Sequence, residues 1–376
     1  MTTTYLTADY LFDGKRLRKD HAVKVVHGRV AEVVPLASVT RDGQKRHAGH
    51  ILTPTLFDIQ VNGGGGAFLN TDQSPEGIRT IAAAHRKLGT GRILPTLITD
   101  APDVLDRAAE GIMACHGKDG ICGFHIEGPH LSVARKGTHK PEFIRPLDDR
   151  TFAVVRKLRD AGVPVLITVA PESVTPGQVS ALVEMGAKVS IGHSDATFEE
   201  ARALEAEGAS LYTHLYNAMS PMLNRAPGVT GAAITSESYC SVICDGIHAK
   251  AEMLKIAIAA RPMPDRMIIV SDAMPTVGGP DSFEIYGQTI KVSEGRLINA
   301  EGSLAGAHTT MVQSVGFAVQ KLDVPLEDAL RMALTNPARA MDLPELSVIE
   351  GVTVDDLLVI DAEFANPSPV ESFVAA

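Results

Sequence analysis

Ile121-Cys122-Gly123-Phe124-His125-Ile126-Glu127-Gly128 begins apolar and ends on a carboxylate followed by glycine. So short an apolar run, bounded by turn residues, reads as a buried strand, and a carboxylate at its end is unfavourable to bury for packing alone. Seven other segments share the design: residues 55–63 (TLFDIQVNG), 91–99 (GRILPTLIT), 164–172 (PVLITVAPE), 187–195 (AKVSIGHSD), 209–217 (ASLYTHLYN), 239–248 (YCSVICDGIH) and 266–274 (RMIIVSDAM). Longer helical stretches separate them, such as 74–89 (SPEGIRTIAAAHRKLG), 101–117 (APDVLDRAAEGIMACHG) and 197–209 (TFEEARALEAEGA). Eight strand–helix repeats predict an α/β fold, a TIM-type (β/α)8 barrel whose strand ends converge on one pocket at the C-terminal rim. A doubly wound sheet is the weaker expectation, because no G-x-G-x-x-G follows the first strand.

The flanks read differently. Residues 1–52 alternate in short strand-like pieces broken by DGK, HGR and RDGQ turns, and GVTVDDLLVIDAEFA at 351–365 returns to strand character. Both ends are therefore expected to form one small β-sandwich from 1–52 and 345–376, beside a barrel of 53–344. Within the barrel span, SFEIYGQTIKVSEGRLINAEGSL at 282–304 reads as a β-hairpin inserted before the closing helices.

Composition narrows the function classes. With 376 residues, 45% hydrophobic and 21% charged, the chain has the make-up of an ordered soluble protein and no apolar run long enough to span a bilayer. Lys+Arg 35 against Asp+Glu 45 gives a net charge of −10, which argues against nucleic acid or an anionic membrane as partner. An anionic small-molecule substrate would need a local basic pocket. The start, MTTTYLTADYLFDG, lacks the pattern of a secretory signal, so a cytoplasmic location is expected. Cys115, Cys122, Cys240 and Cys244 form no C-x-x-C pair and are expected to be reduced thiols.

The strand ends carry the chemistry. Glu127, His193 and His214 end the third, fifth and sixth strands, close together around one rim. One carboxylate and two imidazoles suit a catalytic zinc-type site that keeps a position open for water, whose pKa such a metal lowers toward about 7. A lone histidine there would more often be structural; the three together point to a metal. Asp272 ends the eighth strand and is the candidate general base and acid, taking a proton from the water and returning it to the leaving amine. Its bland alternative is a helix N-cap, but the following AMPTVGGP is a loop with no obvious helix to cap.

At this point the chain resembles the N-acetylglucosamine-6-phosphate deacetylase family of the amidohydrolase superfamily over most of its length. The resemblance is carried by Gln60-Val61-Asn62-Gly63-Gly64, His125-Ile126-Glu127-Gly128-Pro129, Lys136-Gly137-Thr138-His139 and Gly192-His193-Ser194. It continues through Thr213-His214-Leu215-Tyr216-Asn217-Ala218-Met219, Asn224-Arg225-Ala226-Pro227-Gly228, Asp245-Gly246-Ile247-His248 and Ser271-Asp272-Ala273. It implies removal of acetate from N-acetylglucosamine 6-phosphate to give glucosamine 6-phosphate. Glu127, His193 and His214 would be the metal ligands, Asp272 the acid/base and His139 the group that polarises the acetyl carbonyl. Asn217, Ala218, Arg225 and His248 would receive the sugar and phosphate, and the family's arginine can come from the neighbouring subunit of a homodimer. A planar guanidinium suits phosphate oxygens, which agrees with that role for Arg225, although a solvated loop arginine is the plainer alternative. His248 could likewise be structural, and His125 reads as a barrel-interior hydrogen-bonding residue.

Two departures refine the expectation. Where many amidohydrolases carry H-x-H for a second metal, this chain has Gln60 and Asn62, poor zinc ligands, so one divalent metal per subunit is expected, with Gln60 at most touching the bound water. Zinc is the first expectation, with iron, cobalt and manganese as alternatives. His308 stands in a loop that the family usually fills with small residues. If it faces the sugar, the substrate could be N-acetylgalactosamine 6-phosphate; otherwise it is a surface or helix-start histidine. An N-acyl amino acid amidohydrolase is the same-class rival and lacks its usual H-x-H here, whereas a catalytically dead scaffold would have lost ligands that this chain keeps.

Overall fold

In a computed structural model that describes residues 3–39 and 44–370, the eight strands form one parallel sheet. They are β1 (Leu56–Val61), β2 (Thr90–Ile98), β3 (Phe124–Glu127), β4 (Val165–Val169), β5 (Lys188–Ile191), β6 (Leu211–Tyr212), β7 (Tyr239–Val242) and β8 (Met267–Ile269), each paired with its sequence neighbour. Closure falls between β1 and β8, just beyond the regular ladder. Asp272 N–H donates to the Gln60 carbonyl at 3.1 Å, and Asn62 N–H to the Ala273 carbonyl at 2.9 Å. Asp58, fully buried on β1, reinforces this seam by accepting from the Ser271 hydroxyl and backbone N–H and from Gln60 N–H.

A helix follows each strand: α1 (Pro75–Lys87), α2 (Pro102–Cys115), α3 (Asp149–Asp160), α4 (Gln178–Glu184), α5 (Phe198–Ala206), α6 (Gly228–Thr235), α7 (Ala251–Ala260) and α8 (Met311–Leu322). Their starts are encoded locally. Ser74 and Asp148 accept from Gly77 and Thr151 N–H, and Thr197 with Glu200 and Thr310 with Gln313 form capping boxes. β1, β2 and β4 are buried at every position, as expected of strands covered on both faces, and the barrel core continues into the packed faces of α1, α2 and α8.

The chain ends build one sheet. Strand Leu357–Ile360 runs antiparallel to Gln44–Pro54, which pairs in parallel with Thr4–Phe12. Leu6, Leu11, Val23, Leu52, Leu357 and Val359 form its separate core. The RDGQ turn begins outside the described residues. Between β8 and α8, the expected hairpin is present as Ser282–Ile285 and Gln288–Ser293, extended by a third strand, Arg296–Leu297. That last pairing is only two residues long, too short to leave a periodic signal in the sequence. All four cysteines are free thiols. No helix among the described residues is long and apolar enough to cross a membrane.

Candidate metal centre and active site

At the C-terminal rim, Glu127 Oε1 lies 3.0 Å from His214 Nε2 and 3.2 Å from His193 Nε2, and the two imidazole nitrogens are 3.1 Å apart. Tetrahedral coordination at 2.0–2.2 Å separates donors by about 3.3–3.6 Å, so this triangle needs to open by only a few tenths of an ångström to receive a cation. The protonation pattern agrees. His193 Nδ1 faces the Arg135 carbonyl at 2.9 Å, which can only accept, so its proton sits on Nδ1 and Nε2 offers a lone pair. Nδ1 of His214 is buried without a hydrogen-bond partner among the described residues. Two imidazole nitrogens and a carboxylate oxygen converging at one buried point fit a divalent ion. His139 Nδ1 or Nε2 also lies within 4.8 Å of donors on Glu127 and His193, but the tightest triangle is the one that includes His214.

The backbone is bent to make this convergence. His193 (φ 48°), His214 (φ 35°) and Asp272 (φ 51°) all adopt left-handed conformations just past their strands, as do Tyr216 and Ala218. Such conformations are unfavourable for non-glycine residues and concentrate at functional sites, where they aim side chains that a straight strand would point elsewhere.

Gln60 and Asn62 occupy the first strand's end and donate rather than ligate. Gln60 Nε2 is 3.1 Å from both Glu127 oxygens and 3.2 Å from Asp272 Oδ1, and Asn62 Nδ2 is 2.7 Å from the same Asp272 oxygen. Gln60 thus meets the two carboxylates directly. Burial alone would raise the Glu127 carboxyl, but the His193 and His214 imidazoles that face it at 3.2 and 3.0 Å hold it well below the usual range. Asp272 goes the other way: burial first, then the Glu127 charge, push it up to about 6. Two carboxylates a few ångströms apart therefore have opposite proton affinities, one suited to holding a cation and the other to moving a proton.

Glu127, His139, His193, His214, Asn217, Ala218, His248 and Asp272 line one cavity of about 400 Å³. Asp245 Oδ2 holds His248 Nδ1 at 2.6 Å, and its other nitrogen has no hydrogen-bond partner among the described residues. Arg225 and His308 are not among the described residues lining this cavity. Arg225 lies in a loop, 221–227, whose residues are all exposed, and His308 Nδ1 bonds the Thr276 hydroxyl at 2.9 Å. His125 is in the barrel interior on the Thr168 hydroxyl at 2.8 Å, and burial pushes it down to about 4. Sequence reasoning missed Arg135, Tyr216, Ser303 and Leu304, which also line the cavity. Tyr216 lies inside the quoted Thr213–Met219 stretch and Arg135 directly precedes the Lys136–His139 stretch, which was the one signal available. Lys136 and Glu301 pair at 2.7 Å, tying the loop after β3 to the inserted segment.

A (β/α)8 barrel with buried carboxylate and imidazole donors at its rim, beside a carboxyl held near neutrality, defines a metal-dependent hydrolase. A model described as "Amidohydrolase family" matches residues 51–374, and the chain belongs to that family. It is 38% identical to an N-acetylgalactosamine-6-phosphate deacetylase of Shewanella sp. (strain ANA-3), over 89% of this chain and 86% of the relative. It is 35% identical to the N-acetylglucosamine-6-phosphate deacetylase of Haemophilus influenzae, over 92% of each. Among solved structures, the N-acetylglucosamine-6-phosphate deacetylase of Pasteurella multocida superposes with a TM-score of 0.89 at 33% identity, over 97% of each chain.

Proposed function

We propose that this enzyme hydrolyses the acetamide of N-acetylglucosamine 6-phosphate, giving glucosamine 6-phosphate and acetate. The observation that carries the reading is the Glu127–His193–His214 triangle bridged through Gln60 to Asp272, in a chain whose relatives bear deacetylase names. Glu127, His193 and His214 would hold a divalent ion, which would supply Lewis acidity and lower the pKa of water at the site. Asp272 accepts the proton of the attacking water and delivers it to the sugar nitrogen as the C–N bond breaks. His139 polarises the acetyl oxygen. Asn217, the Ala218 N–H and His248 hold the sugar phosphate within the cavity, and Arg225, projecting from an exposed loop, reaches the phosphate in a neighbouring subunit of a homodimer. The donor set favours a single zinc, with iron, cobalt or manganese accepted by the same ligands. Residues 53–344 form the catalytic unit, and 1–52 with 345–376 the small sandwich beside it. Four free thiols suit the reducing cytoplasm.

Deacetylation of N-acetylgalactosamine 6-phosphate is the second reading, favoured by the 38% identical relative of that name. Comparing kcat/KM for acetate release from the two epimers tests both. The glucosamine reading expects the gluco epimer to be preferred, and a clear galacto preference would replace it. Turnover of neither by metal-loaded enzyme would sink both.

A further inference from the structure

A neutral imidazole polarises a carbonyl only through the nitrogen that bears its proton, so His139 must present N–H, not a lone pair, to the cavity. The residue that decides this is Thr99, immediately after β2. Its backbone N–H, which can only donate, lies 3.3 Å from His139 Nδ1, and its hydroxyl lies 2.7 Å from the same nitrogen. Nδ1 is therefore the acceptor, and the ring's one hydrogen belongs on Nε2. That nitrogen has no hydrogen-bond partner among the described residues.

Two neighbours hold Thr99 in place. The Tyr286 hydroxyl, on the inserted hairpin, donates to the Thr99 carbonyl. Gly128, the residue after the metal-ligating carboxylate, provides the space: a Cβ there would lie 2.3 Å from Thr99 Oγ1, and its φ of +88° also favours glycine. A larger residue at Gly128 would drive the hydroxyl off His139.

We propose that Thr99 is a positioning residue for the hydrolysis, fixing His139 as the Nε2–H tautomer that donates to the acetyl oxygen, with Tyr286 steadying Thr99 from the hairpin. This rests on the deacetylase reading and adds to it a residue outside the resembling motifs.

The test compares Thr99→Val, which keeps the shape and backbone N–H but loses the hydroxyl, with Thr99→Ser, which restores it. On the acetylated sugar phosphate, Thr99→Val should lower kcat about tenfold to a hundredfold, the range typical of orienting partners of functional histidines, while KM moves little. Thr99→Ser should recover most of that loss. A trifluoroacetyl substrate, whose carbonyl needs less polarisation, should show a much smaller deficit with Thr99→Val. Equal deficits on both substrates, or unchanged kcat, would overturn the proposal. Should Thr99→Val fail to fold, Tyr286→Phe replaces it, with a loss in the same direction and the same relief by the trifluoroacetyl group. Independently of turnover, the ring nitrogen shifts of ¹⁵N-histidine holoenzyme should show His139 protonated at Nε2 in the wild type, with the Nδ1 resonance in Thr99→Val moving toward that of an unbonded ring nitrogen as its shorter hydrogen bond is lost. A wild-type ring protonated at Nδ1 refutes the assignment. A wild type inert toward acetylated sugar phosphates defeats the deacetylase reading and this role with it, whereas full activity with an indifferent Thr99→Val defeats this role alone.

Discussion

The side-chain amide of Gln60 lies 3.1 Å from both carboxylate oxygens of Glu127, donating where a histidine would offer a lone pair. The position next to the Glu127–His193–His214 triangle is thus filled by a hydrogen-bond donor, which would repel a cation placed there. Metal analysis of the purified enzyme should give one equivalent per chain. Gln60→His combined with Asn62→His, which restores paired imidazoles, should move the stoichiometry toward two. His193→Ala or His214→Ala should leave the site largely empty. An unaltered metal content in both single variants would remove them as ligands.

Asp272 is held by Asn62 and Gln60 at 2.7 and 3.2 Å, so its place in the site does not depend on its charge. Asp272→Asn should retain metal and substrate binding while kcat falls by two orders of magnitude or more, the usual size of a general acid–base contribution. Acetate release under saturating substrate, together with metal analysis, separates this from a collapsed site. Normal turnover would exclude Asp272 as the base.

The strand ends were legible because closed-barrel geometry gathers residues at one position on successive strands, so Glu127, His193, His214 and Asp272 needed only a correct strand count. The loops were not. Arg135, Ser303 and Leu304 reach the cavity along irregular paths fixed by tertiary contacts such as the Lys136–Glu301 pair, which has a sequence separation of 165 and no periodicity to betray it. Gln60 was legible as a departure from H-x-H, but not its bonds to Glu127 and Asp272, because an amide's orientation is decided by whichever acceptors the fold brings near. The left-handed turns at His193, His214 and Asp272 were hidden for a related reason: backbone strain is set by what the surrounding structure can hold, not by local propensity.

Burial and the Glu127 charge raise Asp272 to about 6, and only the ionised form accepts a proton from water. Activity should therefore rise with pH through an acid limb centred at or below about 6, since a cation on the neighbouring donors can only lower that value. The linkage sign follows. A carboxyl whose folded pKa lies above its unfolded value makes the fold bind more protons, so its contribution to stability falls as pH rises from about 4 to 6. Metal-free Asp272→Asn should lack that component and melt no lower than metal-free wild type at pH 7. An acid limb well above 6, or a lower melting temperature for the variant, would contradict this assignment.

Arg225 lies in the wholly exposed loop 221–227, which also presents Met222 and Leu223, and it does not line its own chain's cavity. If it serves the site of a neighbouring subunit, the defect of Arg225→Ala is complementable. Assayed with the phosphorylated sugar well below saturation, Arg225→Ala and Asp272→Asn should each be nearly inactive as homodimers. In a mixed dimer, the Arg225→Ala subunit keeps its Asp272 and receives Arg225 from the other chain, so one of the two sites works. Random re-association of equal amounts should recover about a quarter of wild-type activity, from half of the dimers with one working site each. The lesion of Arg225→Ala alone should appear mainly in KM for the phosphorylated sugar, with little difference for the unphosphorylated one, because the guanidinium's task is the phosphate. Absence of recovery on mixing, with heterodimers shown to form, would place the arginine's action within its own chain.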